Sequence, residues 1–322
     1  MPRIASPQPM TALTQNILVL TLAVALDAFL PDLPNRIHPV AWMGRAISSV
    51  QRLSPGKPTP AMLFGAVLAL GVVGVSAVVA HLVMEALHNM GQPAYILGGA
   101  LMLRYTFTVR GLSRAARQVR DSLVLGRLDE ARAGLRNLVS RDPASLDQAL
   151  IAAAAIQSVA ENTTDSFVGP WLAFSFFGVP GAVAYRAVNT LDSMLGYRGA
   201  YEYLGKASAR LDDLVNLIPA RVSALLLLLS GFWQRLPAAR GWRTLRMDRR
   251  LTPSPNAGWT MSAMAGLLGV RLEKQGRYCL GSKFDLPGTH HIDGAVRLAE
   301  RTAAIAFFVA LGLLVLRLSV AG

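Results

Sequence analysis

The run AMLFGAVLALGVVGVSAVVAHLV, residues 61–83, decides the fold class of this chain. It is apolar apart from one serine and one histidine, and it exceeds the roughly 20 residues needed to cross the hydrocarbon of a bilayer. Residues 303–320 form a second such run, and residues 217–233, which contain LLLLLSGFW, form a third. We therefore predict a membrane protein.

Three further runs are less regular. Residues 16–30 contain Asp27, residues 93–109 contain Arg104, and residues 167–184 are broken by GVPG. Irregular backbone at membrane depth needs protein or water around it, so the last two are expected to be tilted, interfacial or re-entrant. With 52% hydrophobic residues, the chain is predicted to be an all-α, polytopic integral membrane protein with four to six membrane segments and cytoplasmic helical and loop regions.

We expect one membrane-embedded domain over residues 1–322, with two cytoplasmic parts. Residues 111–162 read as a helical hairpin, in which Ser145 is the predicted N-cap of a second helix over residues 146–161. Residues 235–301 are richer in glycine and proline, with one predicted helix over residues 257–268. No alternating strand pattern is apparent.

The net charge of +13 is concentrated in two arginine-rich stretches, nine Arg in residues 104–141 and six in residues 235–250. Such clusters are typical of cytoplasmic loops that face anionic lipid. Nucleic acid is not an expected partner, because no DNA- or RNA-binding motif accompanies the arginines. The single cysteine excludes an internal disulfide and a CxxC metal site, so a bound metal would need oxygen ligands.

Residues 184–221, AYRAVNTLDSMLGYRGAYEYLGKASARLDDLVNLIPAR, place many ionisable groups between apolar segments. An Asp or Arg at mid-bilayer costs roughly 2.5 to 3.5 kcal/mol, so such a density of charge indicates a polar site. The chain lacks a phosphate loop, a dinucleotide-binding glycine turn, a nucleophile elbow and a zinc-protease motif.

One polar stripe in this segment consists of Arg186, Asn189, Thr190 and Ser193, which recur at helical spacing. A second oxygen-rich cluster, at residues 212–216, contains Asp212, Asp213 and Asn216. The alternative to a ligand site is a salt-bridged helix pair, with Arg186 or Arg210 paired to Asp192 or Asp213.

Upstream, VAENTTDS places Glu161 and Asp165 four residues apart, on one side of a helix. Two carboxylates so placed suit hydrated Mg²⁺, which shares its shell with phosphate oxygens. The alternative is that residues 162–165 only cap the next apolar segment. Likewise, SPNAGW at residues 254–259 is interpreted either as a helix cap or as an anion site at a helix N-terminus. His38, before a proline, is a turn residue or a functional one.

Together these strings resemble the CobD/CbiB family of cobalamin biosynthesis. LDAFLPDLPNRIHPVAWMGR, SVAENTTDS, AYRAVNTLDSMLGYR, ARLDDLVNLIPAR and SPNAGW occur in that order over residues 25–301. Three positions depart from the family pattern as we understand it, at Leu30-Pro31-Asp32-Leu33, Gln157 and Thr252-Pro253.

The resemblance implies a multi-pass inner-membrane enzyme whose active site faces the cytoplasm. Members are regarded as adenosylcobinamide-phosphate synthases, ATP-dependent ligases that join the free propionate of adenosylcobyric acid to 1-aminopropan-2-ol or its O-phosphate as an amide. It also implies ATP and Mg²⁺, a corrinoid and the amine as substrates, and either a homo-oligomer or association with other corrin-pathway membrane enzymes. A membrane transporter and an AmpE-like sensory membrane protein are the alternatives, although no inverted repeat supports a transporter.

For this site the resemblance nominates two sets of residues. The catalytic set is Glu161, Asp165, Arg186, Asp192, Asp212 and Asp213. All of these except Arg186 are also proposed as Mg²⁺ ligands. The set for substrate and phosphate is His38, Asn162, Asn189, Arg198, Lys206, Arg210, Asn216, Ser254 and Asn256. One conflict follows: if residues 217–233 span once, the 184–221 segment and SPNAGW fall on opposite faces, so residues 167–184 or 217–233 are expected to be re-entrant or buried.

Overall fold

The computed structural model describes residues 12–31, 34, 36–139, 142–196 and 202–321. The first half contains α1 (Ala12–Phe29), α2 (Pro39–Gln51), α3 (Pro58–Asn89), α4 (Gln92–Arg104), α5 (Arg110–Val124), α6 (Leu128–Leu135) and α7 (Gln148–Thr163). The second half contains a π-helix (Thr164–Val168), α8 (Gly169–Leu195), α9 (Glu202–Val215), α10 (Leu217–Trp233), α11 (Ala238–Asp248), α12 (Ala257–Leu268) and α13 (Thr289–Ala321). The protein is all-α, as predicted, apart from a short hairpin.

Three helical segments are long and apolar enough to cross a membrane: α3, the continuous 148–195 segment and α13. The pair α9–α10 adds a fourth if its two helices, bent by 50°, form one broken span. Helix α1 is also apolar but is shorter than these candidate spans. Among the described residues, three spans are one fewer than the predicted four to six segments, and four spans meet the lower end of that range.

The centre of the molecule is α7. All of its residues from Leu150 to Ala160 are buried, which is possible because most of them are alanine or small residues that let neighbouring helices approach. Helices α5, α12 and α13 pack against it. The second helix of the predicted 111–162 hairpin is therefore a core helix, as expected for a helix that is apolar on every side.

The start of α7 differs from the prediction. The N-cap is Asp147, whose carboxylate accepts a hydrogen bond from the Leu150 N–H at 2.8 Å. Ser145 lies in the preceding turn, which is closed by a bond from the Leu146 N–H to the Pro143 carbonyl at 3.0 Å. The predicted N-cap, Ser145, was two residues early. Serine and aspartate are both favoured at N-caps, and here Ser145 belongs to the turn before the helix. Helix α12 has the predicted bounds.

The 148–195 segment is helical throughout but irregular at two places. The π-helix begins directly after α7, within the VAENTTDS motif. Within α8, Gly178 has φ 66° and ψ −162°, a conformation that only glycine adopts readily, and Pro180 follows it. The break predicted at GVPG is therefore confirmed as a kink.

A two-stranded antiparallel hairpin, β1 (Leu272–Lys274) and β2 (Tyr278–Leu280), was not predicted. Its strands have three residues each, too short to show alternation. The hairpin packs on α7 and α12, and it places Lys274 and Tyr278 beside the site described below.

The two charges that interrupt apolar runs pair with each other. Arg104 Nη1 lies 3.6 Å from Asp27 Oδ1, and both side chains are almost fully buried. The other oxygen of Asp27 accepts hydrogen bonds from the backbone N–H groups of Val109 and Arg110, at 3.0 and 3.1 Å. Asp27 therefore joins α1 to the end of α4 and the start of α5.

Candidate functional site

Two adjoining cavities meet at the VAENTTDS motif. The larger has a volume of about 460 Å³, and the smaller, about 30 Å³, has room for little more than a water molecule or an ion. Glu161 and Asp165 line both. We call the first the main cavity and the second the acidic chamber.

The main cavity is lined mostly by polar groups from four parts of the chain: the end of α6, α7 with the π-helix, the last turns of α8, and the hairpin. Its lining residues are Arg136, Asn137, Leu138, Val139, Ala154, Gln157, Ser158, Glu161, Asn162, Asp165, Asn189, Asp192, Ser193, Lys274 and Tyr278. The acidic chamber is lined by Glu161, Thr164, Asp165, Asp212, Asn216, Ala220, Ser254, Asn256, Ala257 and Thr260.

The π-helix positions the first group of side chains. Thr164–Val168 adds a residue to the turn, so Glu161 and Asp165 both face the cavities although the helix between them is not regular. Asn162 is fixed by its Nδ2, which donates to the Ser158 carbonyl at 3.0 Å, and by its Oδ1, which accepts from Ser166 Oγ at 3.2 Å. π-Bulges occur frequently at functional sites.

The last turns of α8 supply the opposite wall. Asn189 and Ser193 of the predicted polar stripe line the main cavity, together with Asp192. Thr190 is buried, and its hydroxyl donates to the Arg186 carbonyl at 2.7 Å. The carboxylate of Asp192 makes no hydrogen bond or ion pair with any described residue, so it is available to a ligand.

The junction of α9 and α10 closes the acidic chamber. Asn216 is buried; its Nδ2 donates to Asp212 Oδ2 at 3.0 Å, and its Oδ1 accepts from the Tyr185 hydroxyl at 2.5 Å. The same hydroxyl lies 3.5 Å from Asp165 Oδ1. Tyr185 and Asn216 thereby hold Asp165 and Asp212 around one small space.

The SPNAGW loop forms the far side of the chamber. Ser254 Oγ donates to Asp213 Oδ1 at 3.2 Å and accepts from the Asn256 and Ala257 N–H groups, at 3.2 and 3.4 Å. Asn256 Nδ2 donates to the Asp213 carbonyl at 2.7 Å, and its Oδ1 accepts from Arg221 at 2.6 Å. Ser254 therefore binds the first N–H groups of α12, and the loop also binds the end of α9. The anion site at this helix N-terminus stays a prediction.

Electrostatically the site is dominated by carboxylates. Asp165 interacts with Asp212, Glu161 and Asp192, and with one cation, Arg186. Lys274 interacts with Glu161 from the hairpin. Clustered carboxylates repel one another at low dielectric, so the cluster is expected to attract a cation.

Some nominated residues lie elsewhere. Arg186 lines a separate, apolar cavity of about 360 Å³ between α2, α3, α4 and α8, and reaches the main cavity only through Nη1, which donates to Asn189 Oδ1 at 3.3 Å. His38 is the N-cap of α2, accepting from the Val40 N–H at 3.2 Å. Lys206 and Arg210 are exposed on α9 and line none of these cavities. Arg198 lies outside the described residues.

Nine lining residues of the main cavity were not predicted, among them the polar residues Arg136, Gln157, Lys274 and Tyr278. The buried Gln157 accepts from the Tyr278 hydroxyl at 3.4 Å. Arg136 was hidden among many arginines, and Lys274 and Tyr278 depend on a hairpin without a sequence signal. Gln157 was detectable, because it is the one amide in the otherwise small or apolar run 149–160.

Two alternatives for the predicted residues can now be decided. Among the described residues, neither Arg186 nor Arg210 forms an ion pair with Asp192 or Asp213, so the helices are not held by that salt bridge. Asp165 caps no helix, because the chain is helical on both sides of it. Both carboxylates of VAENTTDS therefore need another explanation.

Within the described residues, no three His, Cys, Asp or Glu side chains are placed to hold a metal ion on their own. One feature of the acidic chamber nevertheless fits a cation: Asp212 Oδ1 is buried and has no hydrogen-bond partner. Mg²⁺ usually takes only one or two protein carboxylates, with water and substrate phosphates completing its shell. The residues present suit an ion that arrives with a phosphate ligand.

The fold and the cavities together define a polytopic helical membrane protein with a polar, carboxylate-rich site beside its membrane helices. Residues 20–305 match the model of the CobD/Cbib protein family. The chain belongs to the CobD/CbiB family, and its role is accordingly in cobalamin biosynthesis, as the resemblance predicted.

Three relatives illustrate the match. The chain is 44% identical over 266 residues to cobalamin biosynthesis protein CobD of Dehalococcoides mccartyi, covering 82% of this chain and 86% of that one. It is 35% identical over 300 residues to a probable CobD of Methanothermobacter thermautotrophicus, covering 93% and 98%. It is 37% identical over 317 residues to cobalamin biosynthesis protein CbiB of Salmonella typhi, covering 92% and 97%. No solved structure matches the chain significantly.

Proposed function

We propose that this protein is an ATP-dependent acid–amine ligase that joins the free propionate of adenosylcobyric acid to 1-aminopropan-2-ol or to its O-phosphate. The observation that supports this reaction is the pair of adjoining cavities sharing Glu161 and Asp165 in a member of a cobalamin biosynthesis family. One cavity offers groups for organic substrates, and the other offers carboxylates for a cation.

The acidic chamber is the proposed metal site. A carboxylate is a poor electrophile, so amide formation from it requires ATP. Asp212, with Asp165 or Glu161, would hold Mg²⁺ together with phosphate oxygens, and the bound ion would offset the negative charge of those phosphates. Tyr185 and Asn216 keep two of these carboxylates in place through the hydrogen bonds described above.

The main cavity is the proposed site of amide formation. Asp192, which has no partner among the described residues, is placed to bind the ammonium group of the amine and to accept its proton. Asn162 and Asn189 offer amide groups for hydrogen bonds to the corrinoid. Arg136 and Lys274 supply positive charge for anionic oxygens.

The size of the main cavity restricts what it binds. At about 460 Å³, it lies toward the lower end of the roughly 300–1,000 Å³ found for small-molecule pockets. We propose that the propionate arm and the amine enter, while the corrin macrocycle stays outside against the surface. The arginine-rich α11, near the SPNAGW loop, favours a site on the cytoplasmic face of the inner membrane.

The test is an assay of the purified protein with cobyric acid, ATP, Mg²⁺ and each amine, with mass spectrometry of the corrinoid product. We expect a new amide and nucleotide hydrolysis only when every component is present. As a matched pair, Asp212→Asn should lose activity and Asp129→Asn, whose side chain is 98% exposed on α6, should keep it. Product formed without nucleotide, or no product with either amine, would reject the proposal.

A further inference from the structure

A cavity of about 470 Å³ lies apart from the candidate site, among α1, α5, α8 and α13. Its walls divide into two regions. Val24, Trp171, Ala303 and Phe307 make one end apolar, whereas Ser113, Arg110, Arg117 and Glu300 make the other end polar. Exposed Ala28, Ala304 and Phe308 border it, so it opens sideways, along the flank of α13.

The position of the cavity along α13 matches the edge of a membrane. Charged residues at 293, 297, 300 and 301 end where the apolar run of α13 begins, and that run belongs to a candidate membrane span. Glu300 is at the polar end of the cavity, and Ala304, Phe307 and Phe308 are at the apolar end. The cavity therefore crosses from the interfacial region into the hydrocarbon.

The charges at the polar end leave one cation unpaired. Arg117 Nη2 is bound to both oxygens of Glu300, at 2.8 and 3.0 Å. Asp27, which also lines the cavity, lies 3.6 Å from Arg104 Nη1 through Oδ1, and its Oδ2 accepts two backbone N–H bonds. The guanidinium of Arg110 is exposed and has no partner among the described residues. It begins a row completed by Arg114 and Arg117, which follow at helical spacing on α5.

The apolar end contains an unsatisfied donor. Trp171 lines the cavity with 1% of its surface exposed, and its indole N–H has no hydrogen-bond acceptor. A buried donor without an acceptor is destabilising, and buried tryptophans usually find a partner. An ester carbonyl at the top of an acyl chain would supply the acceptor.

We propose that this cavity binds an anionic phospholipid, with its phosphate at Arg110, its ester region at Trp171 and an acyl chain between α1 and α13. Basic pockets between membrane helices recognise anionic headgroups in this way. The proposal concerns a site remote from the carboxylates of the main cavity and does not depend on the reaction assigned to them.

The test uses the fluorescence of Trp171. In a variant whose other four tryptophans are replaced by phenylalanine, the protein is placed in phosphatidylcholine vesicles that contain a minor fraction of brominated phosphatidylglycerol or brominated phosphatidylcholine. Bromine on an acyl chain quenches a tryptophan that it contacts. We expect stronger quenching by the anionic lipid, corresponding to about a fivefold preference per unpaired arginine near the membrane surface.

Two pairs of variants locate the effect. Arg110→Gln should remove the preference, and Arg114→Gln, on the same helix but outside the cavity, should keep it. Ala304→Phe should block quenching by both lipids, and Leu316→Phe, exposed further along α13, should not. Equal quenching by the two lipids, or equal loss in the two arginine variants, would overturn the proposal. If the single-tryptophan variant does not fold, native mass spectrometry of the unmodified protein and of Arg110→Gln measures the same preference for phosphatidylglycerol.

Discussion

Asp165 is the residue on which both cavities depend. It lies within the π-helix, in the middle of continuous helix, and its carboxylate faces the cavities rather than a helix end. Helical conformation there does not require an acid. Its negative charge is instead placed near three other carboxylates, an arrangement that lowers stability unless a cation is bound.

We predict that Asp165→Asn is inactive at ordinary Mg²⁺ concentrations. Asparagine keeps the shape and the hydrogen-bonding capacity of the side chain but removes the charge that Mg²⁺ needs. The measurement is turnover as a function of Mg²⁺ concentration. Glu161→Gln should have a milder effect: it should raise the Mg²⁺ concentration needed for half-maximal activity, and activity should recover at high Mg²⁺ concentration. An Asp165→Asn enzyme with a normal Mg²⁺ requirement would move the metal site to Asp212 and Asp213.

Asp192→Asn should abolish amide formation while leaving the protein folded. Its carboxylate has no partner among the described residues, so the loss of its charge breaks no internal contact. The free energy of unfolding should change by no more than about 0.5 kcal/mol, the usual range for sites without such contacts. Thermal unfolding in detergent and the amide-forming assay, run on the same preparation, measure the two quantities. Loss of stability together with activity would make Asp192 a structural residue.

The pair Asp27 and Arg104 should behave in the opposite way. Asp27→Ala removes the carboxylate beside the buried Arg104 guanidinium and the acceptor of the Val109 and Arg110 N–H groups, so we expect about 3 to 5 kcal/mol of destabilisation. The double variant Asp27→Leu/Arg104→Leu should recover part of that loss, because it removes both buried charges. Thermal unfolding of the three proteins measures the coupling. An Asp27→Ala protein as stable as the original would show that the pair contributes nothing.

These residues also show what the sequence could predict. Polar side chains in apolar surroundings pointed to the carboxylates at 161, 165, 192 and 212 because such groups are costly unless they bind something. The same argument flagged Asp27 and Arg104 without pairing them, since a contact between residues so far apart in sequence depends on helix packing. Arg186 was nominated from the polar stripe and from the family resemblance; it lines another cavity, and its Nη1 donates to Asn189 Oδ1 of the main cavity.

At the scale of elements, α9 is positioned by two glycines. A Cβ on Gly65 of α3 would collide with the Leu204 carbonyl of α9, and a Cβ on Gly205 of α9 would collide with the Leu195 carbonyl of α8. In both cases the obstacle is backbone, which cannot rotate away. Close contact of α9 with α3 and α8 therefore fixes the helix whose end carries Asp212 and Asp213.

We expect Gly65→Ala to destabilise the protein by about 1 to 3 kcal/mol, the usual range for overpacking, and to lower activity by displacing α9. The matched control is Gly74→Ala in the same helix, because nothing lies within 4 Å of a Cβ there. Alanine lowers the conformational entropy of the unfolded chain relative to glycine, so Gly74→Ala should stabilise the protein by about 0.4 to 1 kcal/mol. Unfolding and turnover are measured for both. If the two alanines had the same effect, α9 would not depend on this contact.

Elements differed in how well the sequence predicted them. Helix α12 was predicted to the residue because SPNAGW supplies its start and Gly269, with φ 69°, supplies its end. The π-helix has no known sequence signature here, since it results from one residue more than a regular turn holds. The hairpin at residues 272–280 was not predicted, because strands of three residues are too short to show an alternating pattern. The unpredicted hairpin is also the element that brings Lys274 and Tyr278 into the main cavity.

For the whole molecule, the conflict over residues 217–233 has a structural answer. Hydrogen bonds from Ser254 and Asn256 to Asp213 place the loop after α11 beside the residues that precede α10. The chain therefore runs away from Asp213 along α10 and comes back to Asp213 at the end of α11. Helix α11 carries Arg240, Arg243 and Arg246, and so many arginines exclude it from hydrocarbon. We therefore propose that α10 does not cross the membrane by itself, in keeping with the prediction of a re-entrant or buried segment.

This geometry predicts that α11 and α6 lie on the same side of the membrane. In a Cys279→Ser background, Ala239→Cys at the start of α11 and Asp129→Cys on exposed α6 should both resist a membrane-impermeant maleimide in intact cells and react after permeabilisation, because arginine-rich segments face the cytoplasm. Met90→Cys, 75% exposed at the end of the membrane-crossing α3, should react without permeabilisation and serves as the external reference. If Ala239→Cys reacted in intact, active cells while Asp129→Cys did not, α10 would be a membrane span. Asp213, at the end of α9, and Ser254, in the loop after α11, would then have to lie on opposite faces, which their hydrogen bond at 3.2 Å forbids.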